Sequence, residues 1–172
     1  ATGASLTMSR GTKFTTTVDG QSYSFVNNAD VSISPISGVY QFSNLKVHEG
    51  SYLNYKYTAN TSDIDQRFII PNDSVDTTTL TVKVQESSSD ATTNTYVLAT
   101  GITSIDSTSK VYFLQEVEGG RFEVYFGDGV TGKAIADGNI VILDYINSNR
   151  DAPNGATTFA LGGTIGGFSS AT

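Results

Sequence analysis

The sequence predicts an all-β protein with many short, mainly antiparallel strands, long polar loops and little helix. Charged residues make up only 16% of the 172 residues, whereas solvent-facing helices depend on Lys, Glu and Arg. Thr, Tyr, Phe, Val and Ile are abundant, and these residues suit the half-buried surface of a strand. Turn residues also separate short apolar runs throughout the chain. The strands are therefore expected to form sandwich-like or mixed sheets.

Two segments have the pattern of a β-hairpin. Asp19-Gly20 supplies the two positive-φ positions of a type I′ turn between two runs of strand-forming residues. Glu118-Gly119-Gly120 separates the second pair of runs in the same way. The predicted strand pairs are 13–18 with 21–26, and 111–117 with 121–126.

Six further segments are predicted to be strands. The alternation in 79–84 indicates one buried and one wet face, and the apolar run 140–143 indicates a strand that is covered on both faces. By contrast, 86–94 is rich in Ser, Thr and Asp without an apolar anchor, which predicts a loop. The six segments are 31–33, 39–42, 52–57, 67–70, 79–84 and 139–145.

Composition excludes several classes of function. The chain has no Cys, so it can form no disulfide, thiolate nucleophile or Cys-ligated metal centre. Its formal charge of −7 argues against a nucleic-acid surface, which requires clustered Lys and Arg. Its apolar runs are shorter than the roughly 20 residues of a membrane helix. We therefore expect a non-enzymatic protein without a cofactor, and without nucleic acid or membrane as a partner.

The glycine-rich run 127–134 fits two nucleotide-binding patterns. Gly127, Gly129 and Gly132 match G-x-G-x-x-G, and the run up to Lys133 matches G-x-x-x-x-G-K. Both patterns need a helix directly afterwards, because its N-terminus holds the phosphate. Here another turn follows within a few residues, and Asp128 would repel an anion. A structural turn, in which Gly127 and Gly129 supply positive φ, is the favoured interpretation.

Single polar residues offer few catalytic arrangements. His48 could act as a general base, but no nucleophile motif lies beside it, so a structural or surface role is favoured. The acidic pairs Asp63/Asp65 and Glu116/Glu118 could serve a glycosidase. No acid stands in an evidently apolar segment, however, and solvated turns and strand faces explain both pairs.

Oxygen ligands for calcium could come from Asp63 and Asp65, or from Asp128 with Asp137 and Asn139. None follows the twelve-residue calcium loop, so turn residues are the better interpretation and no metal is expected.

A further alternative is an aromatic platform that stacks on a sugar, formed by Tyr52, Tyr55 and Tyr57. Residues two apart share a strand face, so Tyr55 and Tyr57 are expected on one face and Tyr52 on the other. Strand packing or a protein interface explains them at least as well as sugar stacking does.

The chain is expected to be a single β-rich segment, 1–172, of a longer protein. A division into two subdomains, about 1–58 and 59–161, followed by a Gly-rich tail at 162–172, is the alternative organisation.

Several short runs, in order, resemble the baseplate wedge proteins of contractile-tailed (T-even-like) bacteriophages, which are related to the baseplate J-like family. In chain order, the motifs of the family are x-R-G-T-x-F, V-D-T-T-x-L-x-V-x-V, Y-F-L-x-E, Y-E-V-x-F-G-D-G-x-x-G-K, G-N and N-G-A. The segment 147–153 departs from the family, which often has a Thr-Gly turn there. The matching runs are 9–14, 75–84, 111–116, 121–129, 132–133, 138–139 and 154–156.

This resemblance implies a structural domain of the tail baseplate in the virion, assembled in the host cytoplasm. Its partners would be other copies of itself, as a homo-oligomer in the assembly, and other wedge subunits. The family-marked turn (Gly127, Asp128, Gly129, Gly132 and Lys133) would shape the fold or make contacts. A β-sandwich carbohydrate-binding or adhesin module of a viral or cell surface is the alternative function.

Overall fold

The regular secondary structure of the chain is almost entirely β-strand, which confirms the predicted all-β class. The structure, a computed structural model, describes residues 4–101 and 104–169. Within these residues the helical content is one 3-10 turn, Glu118–Gly120. The strands are β1 (Leu6–Met8), β2 (Lys13–Val18), β3 (Gln21–Val26), β4 (Val31–Ile33), β5 (His48–Glu49), β6 (Ser51–Thr58), β7 (Phe68–Ile69), β8 (Val75–Ser87), β9 (Asp90–Leu98), β10 (Val111–Val117), β11 (Arg121–Phe126), β12 (Ile140–Asn147) and β13 (Ala160–Leu161).

The strands form three sheets. The largest has the order β6-β12-β8-β9-β10-β11-β7, the second has the order β13-β2-β3-β5, and β1 pairs with β4. The pairs β8–β9 and β10–β11 are antiparallel, whereas β9 and β10 run parallel, so the large sheet is mixed. The expectation of mainly antiparallel, mixed sheets is therefore confirmed.

Internal contacts divide the chain into two compact units, of which one is a single stretch of sequence and the other combines two stretches. The central unit is Leu53–Tyr145, and the terminal unit combines Ala1–Tyr52 with Ile146–Thr172. The subdivision at about residue 58 and the separate tail at 162–172 remain predictions about folding units. Residues 170–172 of that tail lie outside the described residues.

The central unit has its hydrophobic core on one face of the large sheet. Leu80, Val82 and Val84 of β8 are buried, while the residues between them are partly exposed. This is the predicted alternation of a half-buried strand. Along β12, the residues from 141 to 146 are all buried, as a strand covered on both faces requires.

The terminal unit contains the predicted hairpin of β2 and β3. Their register pairs Val18 with Gln21 across the turn. Asp19 has φ 49° and Gly20 has φ 79°, so both lie in the left-handed region that a two-residue I′ turn uses. The Asp-Gly prediction is confirmed.

The predicted strand at 39–42 is wrong. Val39 pairs with Ile36 in an isolated bridge around Ser37 and Gly38, and the chain then continues without a strand partner. Val39, Tyr40 and Phe42 instead line an apolar groove of about 750 Å³. Gln41 lines the groove as well, so the whole run packs along it as an irregular segment rather than as a strand of a ladder.

The predicted loop at 86–94 is also wrong, because β8 and β9 continue into a hairpin there. Ser87 pairs with Asp90, and Gln85 pairs with Thr93. Most of the β9 side chains before Tyr96 are exposed, so the strand needs no apolar residues at these positions. Backbone pairing with β8 on one side and, at Val97 and Leu98, with β10 on the other places it inside the large sheet.

Candidate functional site

The family-marked turn, residues 127–133, lies in the central unit and follows directly on β11. Gly127 forms an isolated parallel bridge with Ala134, so the residues between them make a closed loop. A Cβ atom on Gly127 would lie less than 3.0 Å from the carbonyl oxygens of Thr131 and Gly132. Gly127 is absent from the positive-φ residues, which makes the sequence-based reason for this glycine wrong. It is needed because two carbonyl groups occupy the space of a side chain.

Two other glycines of the turn have left-handed backbones. Gly129 has φ +87° and Gly132 has φ +89°, a region that L-residues rarely adopt. Gly132 is crowded as well, since a Cβ there would lie 2.9 Å from Cγ2 of Val111. The turn thus needs glycine for steric reasons at 127, for conformational reasons at 129, and for both at 132.

Asp128 caps the turn with its own carboxylate. Its Oδ1 accepts hydrogen bonds from the backbone N–H groups of Val130 (2.9 Å) and Thr131 (2.8 Å). Both bonds, and the one from Thr131 most strongly, lower the pKa of the Asp128 carboxyl because they favour its ionised form. The side chain therefore stays charged and fixes the direction of the turn.

A second turn, at 106–109, supports the first. The backbone carbonyl of Asp106 accepts the N–H of Gly132 (3.0 Å), and that of Ser109 accepts the N–H of Lys133 (2.8 Å). The Asp106 carboxylate in turn binds the hydroxyls of Thr108 and Ser109, both at 2.8 Å. The Ser109 hydroxyl and then the Thr108 groups lower the pKa of Asp106 from 3.8 to about 2. The sequence analysis did not identify Asp106.

Lys133 joins the turn to the exposed surface of the sheet. Its Nζ lies 3.3 Å from Oε1 of Glu86, which also accepts a hydrogen bond from Asn94. Asn94 Oδ1 accepts a hydrogen bond of 2.7 Å from Lys110 Nζ. The ammonium group of Lys133 is thus part of a chain of polar contacts across the hairpin of β8 and β9.

Each backbone N–H from Gly129 to Lys133 has a protein acceptor. Gly129 donates to the carbonyl of Gly132 at 3.0 Å, and the other four bonds are those described above. The segment after Lys133 forms a bridge and a turn rather than a helix. The groups that cradle a phosphate in nucleotide-binding loops are therefore used within the protein.

An apolar side chain stands at the tip of this braced turn. Val130 is 75% exposed, although its backbone N–H is fixed by Asp128. The arrangement presents a valine to solvent from a backbone that hydrogen bonds hold in place. The sequence analysis did not identify Val130.

The other predicted polar residues lie apart from this turn or serve turns of their own. His48 pairs with Val26 in the terminal unit. Asp63 Oδ1 accepts the N–H of Asp65 at 3.1 Å, and Glu116 and Glu118 are exposed.

The proposed calcium ligands Asp137 and Asn139 also bond to the backbone. Asp137 accepts the N–H of Thr61 at 3.1 Å, and Asn139 accepts that of Ala136 at 3.0 Å. Across residues 4–101 and 104–169, no three His, Asp or Glu residues group as a metal site. None of these segments forms a helix with the length and apolar character needed to cross a bilayer.

The tyrosines of β6 extend an aromatic cluster. The rings of Tyr55 and Tyr57 meet edge to face at 5.0 Å, which confirms that they share a strand face. Tyr57 packs in the same way on Phe68 at 5.6 Å, and its hydroxyl donates to the carbonyl of Ile69. Tyr57 therefore belongs to the packing of the central unit, while Tyr55 is partly exposed at its margin.

One buried acid overturns the expectation that no acid stands in an apolar segment. Asp144 on β12 is 2% exposed. Its carboxylate accepts hydrogen bonds from Lys83 Nζ (3.0 Å) and Asn54 Nδ2 (2.6 Å). The interruption of the apolar run 140–146 by a single Asp could have indicated a buried acid, although not its partners.

Comparison with known proteins agrees with the resemblance found in the sequence. A search of curated proteins finds no match. Residues 54–155, more than half of the chain, match the family described as "Bacteriophage baseplate wedge protein gp6, third domain". This range contains the 127–133 turn, the supporting 106–109 turn and the whole large sheet except parts of β6. The chain therefore belongs to the family of the third domain of baseplate wedge protein gp6, and its role is that of a structural part of the phage tail baseplate.

Proposed function

We propose that this domain works without catalysis, by binding other copies of itself and other wedge subunits while the baseplate assembles in the host cytoplasm. The observation that carries the proposal is the family match over 54–155. The geometry supports it, because polar groups of the candidate site are engaged in bonds within the protein. What the site offers to a partner is apolar surface and shape.

The 127–133 turn has a structural and a contact role in this proposal. Its glycines and Asp128 set the backbone, and Val130 supplies the apolar contact. Because the backbone is already ordered, burying Val130 against a partner loses little conformational entropy. Aliphatic burial of this kind contributes about 1.5–3 kcal/mol per side chain.

Light scattering coupled to chromatography tests the proposal. The full-length protein is run alone and then mixed with each purified wedge subunit of the same phage. We expect a multimer or a mixed complex, and Val130→Ser should weaken at least one of these contacts. A protein that stays monomeric at high concentration and binds none of the subunits would contradict the proposed function.

A further inference from the structure

An isoleucine projects into solvent from the loop between β6 and β7. Ile64 is 94% exposed, and Asp63 and Asp65 stand on either side of it. Single exposed apolar residues are common on protein surfaces. Ile64 differs from an isolated exposed residue because its loop is held by hydrogen bonds and carries an acidic residue on each side of it.

The loop that carries Ile64 is cross-linked by its own side chains. Gln66 accepts the N–H of Asn60 at 2.8 Å and donates through Nε2 to the carbonyl of Thr58 at 2.9 Å. The backbone carbonyl of Asn60 also accepts the N–H of Asp63 at 3.1 Å. These bonds close the loop across its base and leave Ile64 at its tip.

A second segment of the central unit holds the start of the loop. Ala59 donates to the carbonyl of Asn139 at 2.8 Å, and Thr61 donates to the carboxylate of Asp137 at 3.1 Å. The loop is therefore ordered before any partner arrives. A partner that covered Ile64 would lose less entropy than one that had to order a flexible loop.

The charge around Ile64 is negative. The segment 59–66 contains Asp63 and Asp65 and no Lys or Arg, and Asp137 adds a third carboxylate beside it. Arg67, at the end of the loop, is paired with Glu123. Electrostatic complementarity therefore favours a basic partner surface.

A second copy of this chain is a poor match for the same surface. A symmetric contact would place the acidic loops against each other, and the whole chain carries a formal charge of −7. The occupant that fits is a different protein with an apolar recess rimmed by Lys and Arg.

We propose that Ile64, held between Asp63 and Asp65, is the apolar anchor of a contact with a basic-rimmed recess on another baseplate subunit. This inference rests on the proposed function and specifies one of its surfaces. It differs from the Val130 contact, which lies on another loop.

The test measures the Kd of the full-length protein for each purified wedge subunit, at low and high salt. Ile64→Ser should weaken binding to one subunit at least tenfold. The control Val97→Ser, which changes an exposed valine on β9, should leave that Kd within about twofold. Asp63→Asn with Asp65→Asn should weaken the same contact and flatten its salt dependence.

The outcomes separate the two proposals. If the wild type binds a subunit and Ile64→Ser binds equally well, the anchor is overturned while the proposed function stands. If Ile64→Ser abolishes only self-association, the choice of a different protein as partner is overturned. If the wild type binds no subunit and no second copy, the proposed function itself fails. Because Ile64 is solvent-exposed, the melting temperature should be unchanged, which checks that the variant is folded.

Discussion

Replacing Gly127 by Ala should cost more stability than a Gly→Ala change at most turn positions. The added methyl group would lie less than 3.0 Å from the carbonyl oxygens of Thr131 and Gly132. Both are backbone atoms, so neither can rotate away as a flexible side chain would. The 127–133 turn must therefore open, and its bonds to the 106–109 turn must weaken.

The size of the effect follows from two contributions. Overpacking against a fixed structure costs about 1–3 kcal/mol, and each hydrogen bond that is lost costs about 1 kcal/mol. If one bond is lost, the free energy of unfolding should fall by on the order of 3 kcal/mol. In a chain of this length, that lowers the melting temperature by about 6–12 °C.

Two other glycines of the central unit provide matched controls. Gly138 has φ +77° and open space around its Cβ position, so Ala there should cost only the left-handed strain of about 1–2 kcal/mol. Gly101 has neither a positive φ nor a neighbour within 4 Å. Ala at 101 should be neutral or stabilise by up to about 1 kcal/mol.

Calorimetry of the three variants, with hydrogen exchange at Gly132 and Lys133, measures both the global and the local effect. We expect stability to decrease from Gly101→Ala to Gly138→Ala to Gly127→Ala, with faster exchange at Gly132 and Lys133 in the last variant. If Gly127→Ala melts within about 1 °C of Gly101→Ala, less than the shift expected from 1 kcal/mol, the steric argument is refuted.

Two further predictions concern charged groups of the central unit. Asp144→Asn should destabilise the protein by about 3–5 kcal/mol, because it leaves the Lys83 ammonium without its carboxylate. The double variant Asp144→Leu with Lys83→Met removes both charges, so its free energy of unfolding, measured in urea, should return most of the way to the wild-type value. If it stays as low as that of Asp144→Asn, the unpaired charge is not the cause of the loss. The folded pKa of Asp106 is lowered from 3.8 to about 2, so its carboxylate stabilises the fold above the unfolded pKa and loses this effect as pH falls between those values. The melting-temperature advantage of wild type over Asp106→Asn should shrink across that range, and a constant difference would argue against the carboxylate bonds.

Strands were predicted correctly where the strand that pairs with them is the next one along the sequence. The hairpin at Asp19-Gly20 depends on residues that are adjacent in sequence, and its turn geometry is as expected. The strand candidate 39–42 had the alternation but no partner, because Val39 pairs back with Ile36. In this run Tyr40 and Phe42 are half-buried while Val39 and Gln41 are exposed. Alternation therefore indicates which side chains share a side, and only a neighbouring backbone makes a strand.

Long-range contacts explain most of what the sequence did not reveal. Asp144 is paired with Lys83, 61 residues away, and with Asn54, 90 residues away. Nothing near Asp144 in sequence identifies either partner. The loop that carries Ile64 is likewise held in part by Asp137, which accepts a hydrogen bond from Thr61, 76 residues away.

The glycine-rich turn shows why a sequence motif for phosphate binding can occur in a turn whose backbone N–H groups are bonded within the protein. In a phosphate-binding loop, glycines bring backbone N–H groups together because an anion will accept their hydrogen bonds. Here the anion is the carboxylate of Asp128, which accepts the N–H groups of Val130 and Thr131. The lysine that would reach a phosphate instead contacts Glu86. Backbone N–H groups therefore surround an anion here as they do in a phosphate-binding loop, but the anion is a side chain of the protein itself. The turn that follows Lys133, where a nucleotide site would have the N-terminus of a helix, distinguishes this self-capped turn from a nucleotide site.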